Sequence, residues 1–159
     1  MSAARGMPRR VQRQRTKGWR MPPGAVYVGR PSKYGNPCEV ELFDKGGPDE
    51  QWQMADYLNP WFVMCRSKVD AAREAVERFE CYYLWALPDA SRQQLIDDLA
   101  GRILVCWCPE WDKTTSCPHC GGPGCPACVD TGYARYPCHG DPLLIEANPD
   151  VTFPWADPS

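Results

Sequence analysis

The sequence has little of what a membrane-spanning or secreted protein requires. No apolar run in its 159 residues approaches the ~18 residues of a membrane span. The first residues, MSAARGMPRR, lack the apolar stretch of a secretory signal peptide. We therefore expect a single domain in the cytoplasm, without a membrane partner, whose ten cysteines serve metal or thiol chemistry rather than disulfide bonds.

Acidic side chains are absent from residues 1–33, which carry nine of the eighteen basic ones. The rest of the chain holds nine basic side chains against twenty acidic ones, a balance of −11. We divide the sequence into a basic arm, 1–20, a domain, 21–148, and an irregular tail, 149–159. Trp19 and six basic residues of the arm suit the backbone and bases of a nucleic acid, with a solvated tail as the alternative. The six are Arg9, Arg10, Arg13, Arg15, Lys17 and Arg20.

Short apolar runs predict the strands of a small α/β domain. The run AVYVG, 25–29, predicts a buried strand, and RILVCWC, 102–108, predicts an interior one. The opening up to about residue 24 is either an arm or an irregular edge strand, and the acidic segment 39–52 is expected to be exposed. The fold class is a single domain with a short central sheet flanked by helices, plus an inserted zinc knuckle.

Helical signals dominate from about residue 54 to residue 87, with an interruption at Pro60. The stretch 69–86 carries apolar residues at steps of three and four, which predicts an amphipathic helix packed on a core. A shorter helix is expected from Asp89 or Ser91 to Gly101, and DPLLIEAN predicts a closing helix with Asp141 as its cap.

Two CxxC pairs, separated by four residues, form the strongest signal in the chain. Four thiolates at ~2.3 Å satisfy a tetrahedral zinc ion, and three glycines between the pairs let the backbone reverse. The segment, about 112–135, is predicted to be a zinc knuckle that stabilises an insertion; the alternative is a surface for nucleic acid or protein. The predicted ligands are Cys117, Cys120, Cys125 and Cys128.

A second constellation consists of Cys106, Cys108, Cys138 and His139. Residues two apart in a strand share a face, so Cys106 and Cys108 can converge on one centre, while Cys138 and His139 precede a predicted helix start. Three interpretations remain open: a second metal site, a nucleophilic cysteine with a histidine base, or buried thiols beside a hydrogen-bonded histidine. We expect all four residues to meet near the loop 30–36.

The loop GRPSKYGNP follows the first predicted strand and carries two basic side chains. Arg30 and Lys33 could hold a phosphate beside loop amides, with Asn36 orienting a base or sugar. Neither GxxxxGK[ST] nor GxGxxG occurs, so no standard nucleotide motif supports this interpretation. The alternative is a strand-ending turn in which Arg30 pairs with the acidic body.

These patterns together resemble a known family. The stretch RVQRQRTKGWRMPPGAVYVGRPSKYGNP, then LVCWCP, then PCHGDPLLIEAN, is similar to domain of unknown function 4326, common in actinobacteria and their phages. The resemblance spans most of residues 8–148 and implies a shared site at the second cluster. Usual members place CWCP and PCH only a few residues apart, whereas 28 residues separate Pro109 from Cys138 here. The double CxxC segment is therefore predicted to be an insertion.

Two hypotheses about function follow. The first is an enzyme directed at nucleotides or nucleic acid, in which the basic loop holds phosphate and the second cluster supplies a metal or nucleophile. The second is a non-catalytic, zinc-stabilised module that binds nucleic acid or a host protein. A phage origin would put either in the host cytoplasm.

Overall fold

The computed structural model describes residues 7–43 and 51–156. It contains eight strands and three α-helices within those residues. The strands are β1 (Arg10–Gln12), β2 (Val26–Tyr27), β3 (Cys38–Leu42), β4 (Trp52–Asp56), β5 (Trp61–Cys65), β6 (Leu104–Cys106), β7 (Trp111–Ser116) and β8 (Tyr133–Arg135). The helices are α1 (Lys68–Phe79), α2 (Asp89–Leu99) and α3 (Gly140–Ala147). None of these helices is long and apolar enough to cross a membrane.

The centre of the domain is a parallel three-stranded sheet in the order β1–β6–β2. All three residues of β6 are buried, which fits their position between two neighbours and confirms the interior strand expected from RILVCWC. Helices α2 and α3 pack together beside this sheet, and α3 contacts β6. The small α/β domain predicted from the sequence is confirmed.

A second, antiparallel sheet in the order β3–β4–β5 packs against α1. Ser67 caps the helix by accepting a hydrogen bond from the amide of Asp70. Ala71 and Ala75 bury the face of α1 that meets the sheet, while Phe79 at its end enters the core under the parallel sheet. Helix α1 therefore joins the two sheets into one body.

The prediction of helix from about residue 54 to residue 66 is wrong, because β4 and β5 occupy this stretch. The Asp56 carboxylate accepts hydrogen bonds from the amides of Leu58 and Asn59, which reverses the chain just before Pro60. Arg78 and Tyr83 bind the same carboxylate from the following helical segment. The prediction is correct from Lys68 onwards. Of the segment 39–52, expected to be exposed, residues 39–42 are half-buried in β3, and 44–50 lie outside the described residues.

The two ends assigned to an arm and a tail contribute to the core. Residues 10–12, within the basic arm, form β1, so the edge-strand alternative describes them. In the tail, Phe153 is buried, and Val151 and Trp155 pack against the main core. Asp141 does not cap α3 as predicted, because its carboxylate forms ion pairs with Arg10 and Arg135 instead.

Candidate functional site

Three cysteines and one histidine converge where the parallel strands end. Cys106 is the last residue of β6, and Cys138 and His139 directly precede α3. One ligand atom from each of these three residues lies within 4.8 Å of the others. The predicted convergence is therefore confirmed for these three residues, and the Cys108 Sγ lies beside them, 3.7 Å from the Cys106 Sγ. The carboxyl ends of parallel strands are the usual position of a site in an open α/β sheet.

A hydrogen bond to the backbone fixes the orientation of His139. Its Nε2 lies 2.7 Å from the carbonyl oxygen of Val28, an atom that can only accept, so Nε2 carries the proton. The ring also stands edge-on to Phe79, with 5.3 Å between the ring centroids. His139 Nδ1 is therefore the nitrogen with a free lone pair, and it faces the Cys138 Sγ at 4.0 Å.

The three thiols of the cluster differ in pKa. Hydrogen bonds from Cys106 and Cys108 hold the pKa of Cys138 well below its usual value, and the charge of Arg10 adds to this effect. The hydrogen bond with Cys108 lowers the pKa of Cys106, but contact with Cys138 and burial outweigh it and raise that pKa to about 11. The pKa of Cys108 is also raised, and its hydrogen bond to Cys106 is the largest of the causes. Of the three thiols, Cys138 is therefore the one whose surroundings most favour the thiolate form.

Arg10 holds the cluster in place, a role that the sequence analysis missed. This residue of β1 is 1% exposed, and it donates through Nε to Asp141 at 2.8 Å. Its other nitrogens donate to the carbonyl oxygens of Cys108, Pro109 and Tyr136 at 3.1, 2.8 and 3.2 Å. Arg10 thus connects the segment after β6 to the segment before α3. Its charge had suggested a polyanion contact, and no local pattern distinguishes it from its exposed neighbour Arg9.

Gly140 leaves the space that this arrangement needs. A Cβ at this position would lie 2.9 Å from Arg10 Cδ and 3.5 Å from the Cys138 Sγ. The Gly140 amide also donates to that sulfur at 3.4 Å. The absence of a side chain lets the arginine stem and the thiolate pack against the first turn of α3.

A cavity of about 490 Å³ opens in front of the cluster. All four cluster residues line it, together with Arg30, Lys68 and Trp107. No carboxylate from the described residues is part of this lining. The cavity therefore combines thiols, a histidine, two cationic side chains and an indole ring.

The structure separates the three residues predicted to bind a phosphate or nucleotide. Arg30 lines the cavity and pairs with Glu39. Asn36 also lines it, but its amide group donates to the Ala75 carbonyl oxygen at 2.9 Å and accepts from the Cys38 amide at 2.9 Å. Lys33 lines a different cavity and forms an ion pair with Asp98 at 2.7 Å. Lys68, which the sequence analysis did not select, is the second cation of the main cavity.

The four cysteines of the double CxxC segment form a separate cluster. Their sulfurs all lie within 4.8 Å of one another. Three of the Sγ–Sγ distances are 3.9, 3.9 and 3.8 Å, close to the edge of about 3.8 Å expected for a tetrahedron with metal–sulfur bonds of about 2.3 Å. His119, inside the first pair, is exposed and outside the cluster. The four cysteines can therefore hold a metal ion.

Backbone amides prepare one of these thiols for a metal. Burial raises the pKa of Cys128, but amide hydrogen bonds from Gly132 and Cys125, each 3.3 Å long, outweigh burial and lower it to about 6. At Gly132 φ is +76°, and a Cβ would lie 2.1 Å from the Gly122 carbonyl oxygen. A side chain at this position would force the two halves of the cluster apart.

Comparison with known proteins assigns the chain to a family. The family model of Domain of unknown function (DUF4326) matches residues 11–149. The chain is a DUF4326 protein. No curated protein and no solved structure matches it.

The matched range of this DUF4326 protein contains both cysteine clusters. It also contains the whole parallel sheet apart from Arg10, the first residue of β1. The four-cysteine cluster lies on the β7–β8 hairpin, where Trp111 pairs with Arg135. Because these two residues are direct neighbours across the hairpin, the segment 112–134 leaves and re-enters the domain at one place. This geometry is consistent with the insertion expected from the sequence.

Proposed function

We propose that the cavity binds a nucleotide, free or within a nucleic-acid strand, next to the cluster of Cys106, Cys108, Cys138 and His139. The observation that carries the proposal is the composition of the cavity: Arg30, Lys68 and an aromatic ring surround a recess that ends at the cluster. A phosphate needs cationic or amide donors, and a base needs a flat apolar surface. The cavity offers both within one volume.

Trp107 supplies the surface for a base. It is 38% exposed, and it lies next to two arginines of the basic N-terminal segment. The guanidinium carbons of Arg13 and Arg15 are 4.9 and 5.0 Å from the centroids of its ring system. Stacking of a base on an aromatic ring contributes about 1–3 kcal/mol, and adjacent arginines add attraction for the phosphate. We expect this contact with nucleic acid to be local, because the rest of the chain is acidic and repels phosphates.

Arg30 and Lys68 supply the cations for a phosphate. Arg30 pairs with Glu39 in this structure, but the two side chains are 49% and 40% exposed, and such surface pairs contribute only about 0–1 kcal/mol. Such a weak pair does not hold the Arg30 guanidinium in place, so it is available to form charge-assisted hydrogen bonds to a phosphate. Lys68 Nζ lies 5.7 Å from the Trp52 ring, a contact that leaves its donors available.

The chemistry of the cluster then depends on what it holds. A thiolate of Cys138, or a metal ion bound by the cluster, would stand within reach of a ligand in the cavity, which supports a nucleotide-directed enzyme. The second candidate is a non-catalytic module that binds nucleic acid or a host protein. The separate four-cysteine cluster favours it, because a closed tetrahedral site offers no open coordination position.

The test is calorimetric titration of the protein with nucleoside mono-, di- and triphosphates and with short single-stranded DNA. We expect Arg30→Gln to weaken binding of phosphate-bearing ligands by roughly tenfold and Trp107→Leu by roughly fivefold or more. Exposed Arg66 and Trp85 do not line the cavity and lie outside the basic arm, so Arg66→Gln and Trp85→Leu serve as matched controls and should bind like wild type.

Mass analysis of the recovered ligands reports on chemistry. A mass change that depends on Cys138 supports the enzyme, and binding without change supports the module. If no nucleotide or DNA binds, or if the cavity variants and the controls lose affinity equally, the proposal is wrong.

A further inference from the structure

Ligand atoms of Cys106, Cys138 and His139 all lie within 4.8 Å of one another, close enough to share one metal ion, and the Cys108 sulfur lies beside that of Cys106. With metal–sulfur bonds of about 2.3 Å and metal–nitrogen bonds of about 2.0 Å, the expected edges are about 3.8 Å between sulfurs and about 3.6 Å between sulfur and nitrogen. The Cys106 and Cys108 sulfurs lie 3.7 Å apart, and Cys138 Sγ lies 4.0 Å from His139 Nδ1. We infer that Cys106, Cys108, Cys138 and His139 bind a second zinc ion, with His139 coordinating through Nδ1.

The backbone contact of His139 assigns the coordinating nitrogen. A metal-bound histidine donates its other ring N–H to a carbonyl or carboxylate, which fixes the tautomer and the ring direction. The contact from Nε2 to the Val28 carbonyl oxygen is that outer hydrogen bond. It leaves Nδ1 as the only nitrogen free to bind, on the side of the ring that faces the thiols.

The charges around the cluster balance such an ion. Zinc with three thiolates and one neutral imidazole carries one net negative charge. Two guanidinium groups, from Arg10 and Arg135, surround the single carboxylate of Asp141 directly behind the cluster, which leaves one net positive charge. A buried charge is tolerated when an opposite charge lies close to it. The zinc complex and the charges behind it therefore form a neutral group.

Zinc binding by the cluster and nucleotide binding in the cavity are independent, but a zinc ion held by all four residues has no open coordination position and therefore favours the non-catalytic module over the enzyme. Zinc at this position organises the ends of β6 and α3 whether or not a nucleotide binds in front of it. The four-cysteine cluster is expected to hold the other zinc ion, so the complete protein should contain about two zinc ions per chain.

The first experiment is elemental analysis of protein purified without chelators. We expect His139→Ala to lower the zinc content from about two ions to about one, and Cys120→Ser to lower it likewise through the other cluster. His119→Ala is the matched histidine control, and Cys81→Ser, at an exposed cysteine outside both clusters, is the matched cysteine control. Both controls should keep two zinc ions.

The second experiment uses the unmodified protein, so it does not depend on the folding of a variant. Long-range ¹H–¹⁵N correlation spectra of the two imidazoles should show His139 protonated at Nε2 and metal-bound at Nδ1, with no metal-bound nitrogen in His119. One zinc ion in wild type, iron in place of the second zinc, or a His139 Nδ1 that carries a proton would each overturn the inference. These results do not depend on whether any nucleotide binds.

Discussion

Replacing Arg10 tests whether this buried arginine, rather than the surface charge of the N-terminal segment, maintains the site. Arg10→Met keeps the length of the side chain and removes the guanidinium, which donates to Asp141 and to three backbone carbonyl groups. Each buried carbonyl left without a donor costs about 1–3 kcal/mol, and water can reach some of them. Asp141 keeps Arg135, so its charge is not left unpaired.

We therefore expect Arg10→Met to lower the free energy of unfolding by about 3–5 kcal/mol, out of a total of about 5–15 kcal/mol for a domain of this kind. The midpoint of thermal unfolding should fall by roughly 6–20 °C. Urea denaturation at constant protein concentration measures the change. Arg10→Lys should recover only part of the loss, because an ammonium group cannot reach the acceptors that the planar guanidinium bridges.

The control is Arg9→Met, at the adjacent exposed position, which should change stability by no more than about 0.5 kcal/mol. Equal destabilisation by the two substitutions would refute the assignment of Arg10 as the residue that connects β1, β6 and α3. Loss of polyanion binding without loss of stability would refute it as well, since Arg10 would then act as a surface cation.

Three further predictions concern other contacts. Cys120→Ser should remove about one zinc ion per chain, measured by elemental analysis, and an unchanged metal content would exclude the four-cysteine site. Gly140→Ala should destabilise the fold by about 1–3 kcal/mol in urea, because its Cβ would meet Arg10 Cδ at 2.9 Å; stability equal to wild type would contradict that packing. Burial raises the pKa of Asp56, but hydrogen bonds from Tyr83 and Arg78 outweigh burial and lower that pKa in the folded protein. The ionised Asp56 carboxylate therefore stabilises the fold above the pKa of the unfolded state, and this stabilisation is lost as the pH falls through the pKa of the folded state. Denaturation curves of Asp56→Asn should therefore lack part of the acid dependence of wild type, and identical acid dependence would show that this carboxylate is not responsible.

The sequence predicted the features that depend on short-range spacing. Two CxxC pairs with a glycine-rich spacer identify a four-thiol cluster, because the ligands lie within twelve residues of one another. The apolar run that contains Cys106 predicts an interior strand, and the pair Cys138–His139 before a helix start predicts the second cluster. Local chain geometry accounts for the four-thiol cluster and for each half of the second cluster, whereas the meeting of Cys106 with Cys138 and His139 depends on the tertiary fold.

The features that were missed depend on contacts between distant segments. The chain reversal at Asp56 is stabilised by Arg78 and Tyr83, which lie more than twenty residues away, so the helical pattern before Lys68 misled the prediction. Arg10 has the charge of a surface residue, and only its contacts with segments about one hundred residues later show that it is buried. Lys68 reaches the cavity because α1 begins beside it, which no pattern near Arg30 indicates.

The hairpin of β7 and β8 has a consequence for how the protein opens. Its strands pair with each other and lead into the four-cysteine cluster, and the Tyr136 amide closes its base by donating to the Glu110 carbonyl oxygen at 3.0 Å. The hairpin is held to the domain through Arg135, which pairs with Asp141. A segment with mostly internal contacts opens as a separate cooperative unit, with a free energy below that of global unfolding. Loss of its metal would therefore free the amides of residues 112–134 for hydrogen exchange while those of β6 stay protected. We therefore expect the core to stay folded when this element opens.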